Sequence, residues 1–151
     1  GLLKLSLITF FIIMPYRMFS GGFHLHTHIG CIISTCTFYC GVALLSKTIV
    51  LDSIAKYVLV ATITVFGIIM IKLYAPADTE DVPILSSKIR KQKQILSYVT
   101  FIIGLILALF IKDNVICNII IFGYFVQTCM ITRLAYKLTK NKYGYEVYES
   151  A

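Results

Sequence analysis

Apolar residues fall into five blocks along the chain, with short polar connections between them. The first, 2–14, reads as the tail of a longer span. It is followed by 29–46, 54–74, 95–111 and 115–134. The last four run for about 17 to 21 residues, close to the ~20 that a helix needs to cross ~30 Å of hydrocarbon. They are rich in Ile, Val, Phe and Thr, which would favour strands in water. Inside hydrocarbon a segment must satisfy its own backbone hydrogen bonds, so the pattern predicts helices. No internal or inverted repeat accompanies the blocks, which weighs against a transporter.

The connections differ in character. Residues 15–28 are polar, with two glycines and three histidines. Residues 47–53 are a short link and 112–114 a tight turn. Residues 75–94 form the long hydrophilic loop, which holds Pro76 and Pro83 and ends in Lys88, Arg90, Lys91 and Lys93. Within it Asp78, Glu80 and Asp81 read as a solvated stretch with no role. The tail, 135–151, opens with Lys137, Lys140 and Lys142. Its Tyr136, Tyr143, Tyr145 and Tyr148 read as an interfacial belt.

Composition narrows the class. Of 151 residues, 58% are apolar and only 14% charged, and the mean hydropathy is +0.85. A soluble domain needs about 25% charged residues to cover its surface, and a disordered chain could not carry this much apolar material. The five cysteines (Cys31, Cys36, Cys40, Cys117, Cys129) are odd in number and form no C-x-x-C pair, so a disulfide scaffold is excluded and they read as reduced. Gly1 opens directly into an apolar run with no small-residue cleavage site after it. That reads as a missing upstream segment and not as a signal peptide. The expectation is an all-α, polytopic transmembrane bundle forming one domain.

The net charge of +7 then bears on topology and lipid, not on nucleic acid. If all five blocks cross, connection 15–28, the long loop and the tail share a side. That side carries Arg17, Lys72, Lys88, Arg90, Lys91, Lys93, Arg133, Lys137, Lys140 and Lys142, against Lys4, Lys47, Lys56 and Lys112 opposite. The positive-inside bias places the histidine-rich segment 15–31, the loop and the tail in the cytoplasm of a cell-membrane protein.

Candidate chemistry concentrates in the stretch from Arg17 to Cys31. His24, His26 and His28 are the chain's three histidines, and Cys31 lies in the first turn of the next block. There the positive end of a helix dipole favours an anion, and an imidazole is the natural base for a thiol. Cys36, Cys40, Cys117 and Cys129 lie deeper in apolar surroundings, where a thiol is inert. On an unbroken helix His24 and Cys31 would stand about 10 Å apart along the axis. Their pairing therefore requires a bend, for which Gly30 is the natural hinge. His28, three residues before Cys31, could meet it on a regular helix, and spacing alone does not choose between the two. Backbone N–H groups near Cys31 are candidates for an oxyanion hole. Ser34, one turn after Cys31, is the candidate third residue.

The pattern Arg17…Gly22-Phe23-His24…Cys31 resembles the signature of the accessory gene regulator B family, membrane cysteine endopeptidases of Gram-positive quorum sensing. Tyr74-Ala75-Pro76-Ala77, Val82-Pro83-Ile84 and the basic cluster are similar to the family's loop. The resemblance extends over essentially the whole chain. It implies catalysis by His24 and Cys31 and cleavage of the C-terminal part from a small AgrD-like propeptide. Thiolactone or lactone ring closure through a thioester would follow. No cofactor is implied; a homodimer is. Arg17 would hold a carboxylate or a lipid phosphate, and Gly21 and Gly22 would let the peptide approach the backbone. Lys88, Arg90, Lys91 and Lys93 would meet anionic headgroups or the acidic end of the propeptide. The alternative is a small metal- or solute-binding transporter using the histidines and cysteines, or a membrane scaffold without activity.

Overall fold

The computed structural model describes residues 1–148, which form seven helices. They are α1 (Leu2–Ser20), α2 (His28–Thr48), α3 (Ser53–Tyr74), α4 (Ser87–Phe110), α5 (Asn114–Met130), α6 (Arg133–Leu138) and α7 (Gly144–Tyr148). Among the described residues there is no strand, only the isolated bridges Gly21–Ala77 and Thr79–Val82. Four of the helices start on a side-chain cap: Thr27, Asp52, Asp113 and Thr132 each accept a hydrogen bond from the N–H three residues on.

Helices α1 to α4 are long and apolar enough to cross a membrane, and α5 is a shorter apolar helix of 17 residues, about 25 Å at ~1.5 Å per residue. α5 is nonetheless the centre of the bundle. It packs against each of α1 to α4, and most of its residues are buried. Small residues let large rings in: Phe101 fills the space where Gly67 lacks a side chain, and Tyr124 does the same at Gly104. Asn118 closes one end by donating to the Ser46 and Ile49 carbonyls where α2 finishes. The outside is apolar, with Leu3, Phe11, Ile29, Val50 and Phe110 each more than two-thirds exposed. Hydrocarbon accepts that surface and water would not.

Several boundaries differ from the hydropathy reading. α1 does not end at residue 14 but runs through Pro15 to Ser20. A proline costs one intrahelical bond. Tyr16, fully buried, holds the next turn in place through its hydroxyl, 2.9 Å from Thr128 Oγ1, and through ring contacts with Phe101 and Tyr124. α4 begins at Ser87, so the basic cluster is helical and not part of the loop. No Pro or Gly falls between Ile84 and Gly104, and Lys, Arg and Gln are good helix formers. The last block breaks at Met130, where Thr132 caps a new helix.

The tail and the acidic loop are also corrected. Tyr136 and Tyr143 are buried and stacked with centroids 4.0 Å apart, and Tyr74 and Tyr145 stack on Tyr143. The Tyr136 hydroxyl donates to the Asp78 carbonyl and that of Tyr143 to the Ile131 carbonyl. These rings are core and not an interfacial belt; Tyr148 alone of the four is largely exposed. Asp78 is not solvated. Its buried carboxylate accepts from Arg90 Nη1 at 3.0 Å and from the Ile84 N–H at 3.0 Å. Residues 149–151 of the tail lie outside the described residues.

Candidate active site

The segment between α1 and α2 is shaped by two glycines. Gly21 has φ 74° and Gly22 φ 147°, a region that other residues seldom enter. The Gly22 N–H donates to the Ala77 carbonyl at 3.0 Å, and the Ala77 N–H donates to the Ser20 carbonyl at 2.8 Å. A Cβ at Gly21 would sit 2.2 Å from the Ala77 oxygen. The close approach at Gly21 is thus to the chain's own loop.

Residues 22–27 then fold back without regular structure before Thr27 caps α2 through the Gly30 N–H. The outcome is a thiol–imidazole contact: Cys31 Sγ lies 3.7 Å from His24 Nδ1. The bend is made before α2 and not at Gly30, which is already helical. His24, His26 and His28 are all exposed, and neither His26 nor His28 has a hydrogen bond to Cys31 among the described residues. Burial is the main cause that holds the His24 imidazolium below its ordinary pKa. The Arg17 charge acts in the same direction and Asp81 opposes both. Burial and Arg17 both favour the unprotonated form in which an imidazole can act as a base.

Two hollows meet at this pair. A cavity of about 400 Å³ has mainly apolar walls, from Phe10, Met14, Val82 and Ile84 among others, into which Arg17, His24 and Lys93 bring polar groups. A narrow apolar slot of about 20 Å³, with Cys31 in its wall, is lined by Phe23, Leu25, Ser34, Phe38 and Val126. Arg17, Thr35 and Tyr39 border both. Arg17 Nη1 donates to Gln127 Oε1 at 3.1 Å and to Met130 Sδ at 3.2 Å, so the guanidinium faces inward. Its Nη2 and Nε have no hydrogen-bond partner among the described residues. Ser34 shares the slot with Cys31 and makes no side-chain hydrogen bond among the described residues.

Other sequence candidates are placed elsewhere. Arg90 is committed to Asp78 and lies 4.7 Å from the Tyr145 ring centroid. These contacts tie the loop to α4. Lys93 reaches the cavity beside His24, Lys91 borders a separate hollow beside Pro76, and Lys88 is exposed at the start of α4. The Cys31 N–H is used by the helix, donating to the Thr27 carbonyl. The N–H groups of His28 and Ile29 in the same turn have no partner among the described residues. Cys36 and Cys40 are exposed on α2, Cys40 Sγ accepting from Ser6 of α1, and Cys117 is buried in α5. Among the described residues no three His, Cys, Asp or Glu side chains gather where they could hold a metal. Gln127 is the residue the sequence reading missed. Its only signal is an amide late in an apolar block.

Comparison with known proteins adds the following. A family model described as accessory gene regulator B matches residues 1–131. An AgrB-like protein of Listeria welshimeri is 37% identical over 78 residues, 51% of this chain and 38% of that protein. Its counterpart in Listeria monocytogenes is 36% identical over 87 residues, 56% of this chain and 43% of that protein. The matching stretch spans less than half the length of those relatives. No solved structure matches.

Proposed function

The chain belongs to the accessory gene regulator B family, and on that premise we propose that it is a membrane-embedded cysteine endopeptidase that cuts and cyclises a small quorum-sensing propeptide. The observation that carries this reading is the 3.7 Å contact between Cys31 Sγ and His24 Nδ1.

In this mechanism His24 takes the Cys31 proton, and the thiolate attacks the carbonyl carbon at the end of the signal sequence. The free N–H groups of His28 and Ile29, or the unpaired side of Arg17, receive the developing oxyanion. His24 returns its proton to the leaving amine as the C–N bond breaks. The C-terminal fragment departs, and a thioester links the signal to Cys31. A Cys or Ser within the bound peptide then attacks that thioester. Its proton passes through His24 to the Cys31 sulfur, which leaves as the ring closes. The first step is uphill and needs loss of the fragment to draw it forward. The second exchanges one acyl bond for a similar one and needs positioning above all. The apolar slot beside Cys31 supports acyl transfer to the peptide over hydrolysis, since it has little room for water. Anionic headgroups near Lys88 and Lys91 and a second copy of the chain complete the partners of this reading.

Co-expression with the small open reading frame beside the gene tests it by peptide mass. The parent and Cys36→Ala should release the C-terminal fragment, while Cys31→Ala and His24→Ala should release none. Cleavage by Cys31→Ala, or its loss in Cys36→Ala alone, would overturn the assignment.

A further inference from the structure

Polar side chains inside a lipid-embedded bundle are costly and need a use. In α5 the buried ones are Asn118, Gln127 and Thr128. Two serve the scaffold: Asn118 closes the end of α2, and Thr128 meets the Tyr16 hydroxyl. Gln127 is different, because all of its partners belong to the segment that carries the candidate site. Its Nε2 donates to the Gly21 carbonyl at 2.8 Å and to Ser20 Oγ at 3.1 Å, and its Oε1 accepts from Arg17 at 3.1 Å. Both amide protons and one carbonyl lone pair are thereby used, in a site that is 2% exposed.

We propose that Gln127 is a positioning residue: from the central helix it pins the Ser20–Gly21 turn and aims the Arg17 guanidinium, so that His24 is delivered to Cys31 at the junction of the two cavities. Two backbone hydrogen bonds join the turn to Ala77. The loop and Gln127 thus both hold it, and His24 follows three residues later, just after Phe23, whose ring meets that of Phe38 edge-on. Removing the amide frees Arg17 and one side of the turn while leaving the bundle's apolar packing intact. The proposal rests on the cysteine-peptidase reading for its consequence in cleavage, but its geometric content does not.

The test uses Gln127→Met, which keeps the volume, removes the hydrogen bonds and suits an apolar interior. It is made in a background with Cys36, Cys40, Cys117 and Cys129 replaced by Ala, reconstituted in lipid vesicles. The rate of Cys31 alkylation by iodoacetamide at pH 7 should fall about tenfold, as the thiol loses its base. General loosening would expose the thiol and raise the rate, so a fall separates positioning from simple destabilisation. Asn118→Leu, which weakens the scaffold away from the site, should leave the rate unchanged. In the cleavage assay Gln127→Met should lower kcat at least tenfold with KM within about threefold, the mark of an interaction used after binding. An alkylation rate equal to or above that of the parent overturns the proposal whether or not the peptide is cut. A slowed alkylation in a protein whose parent cuts no peptide upholds it and defeats the peptidase reading instead.

Discussion

Two charges of opposite sign act on the His24 imidazole. Arg17 disfavours its protonation and Asp81 favours it, while burial, the largest influence, disfavours it. A general base works only when unprotonated, so activity should rise with pH through the folded pKa of His24 and level off above it. Because that pKa is lowered, the acid limb of kcat/KM should lie below the ordinary histidine value of about 6.5. Arg17→Met removes a charge that lowers the pKa, so the limb should move to higher pH. Asp81→Asn removes one that raises it, so the limb should move to lower pH. A limb that moves the same way in both, or in neither, would contradict this electrostatic account. Cys31 was legible in the sequence from its place in a helix's first turn. Spacing left His24 and His28 open, and resemblance chose between them. The hinge was not legible: Gly30 looked free to bend, yet Thr27 capping draws it into α2 and the fold-back falls on residues 22–27. Gln127 was invisible because its partners lie more than a hundred residues away.

The elements themselves were written in the hydropathy pattern, since a segment in hydrocarbon has little choice but helix. Their ends were not. α1 passes through Pro15 because tertiary packing at Tyr16 outweighs one lost bond, and α4 starts early because its charged residues are helix formers at a membrane edge. That early start places Arg90 one turn inside α4, where it reaches back to Asp78 and fixes the loop that pairs with Gly22. Sequence reading took Asp78 as solvated and gave Arg90 to lipid or propeptide, because their partnership depends on a folded loop. Arg90→Met should leave the Asp78 charge buried and unpaired, costing about 3 kcal/mol, with a lower Tm in lipid or detergent. The double change Asp78→Asn/Arg90→Met should recover part of the loss. An unchanged Tm in the single variant would show that the pair does not hold the loop.

At the scale of the molecule, the cationic connections predicted to share a side do meet at one end of the bundle. Gly22 pairs with Ala77, Tyr136 bonds to Asp78, and Arg133 pairs with Glu146 beside them. Which helix packs on which was not legible, because uniformly apolar helices give no pattern to say so. The central place of the shortest apolar helix, α5, emerges only from packing around Gly104, Gly123 and Tyr124. The positive-inside bias predicts that this end is cytoplasmic. A membrane-impermeant maleimide should label Cys31, in a background without the other cysteines, in inverted vesicles and not in intact cells; the reverse pattern would contradict that orientation. The most direct test of the whole account is the intact mass of the vesicle-reconstituted protein after brief exposure to the propeptide whose ring-forming Cys or Ser is replaced by Ala, so that the second step cannot proceed. The account predicts a protein heavier by the mass of the signal portion, with the addition mapped to Cys31, released by hydroxylamine and absent in His24→Ala. A propeptide that is cut while Cys31 stays unmodified, or an adduct on another residue, would contradict it.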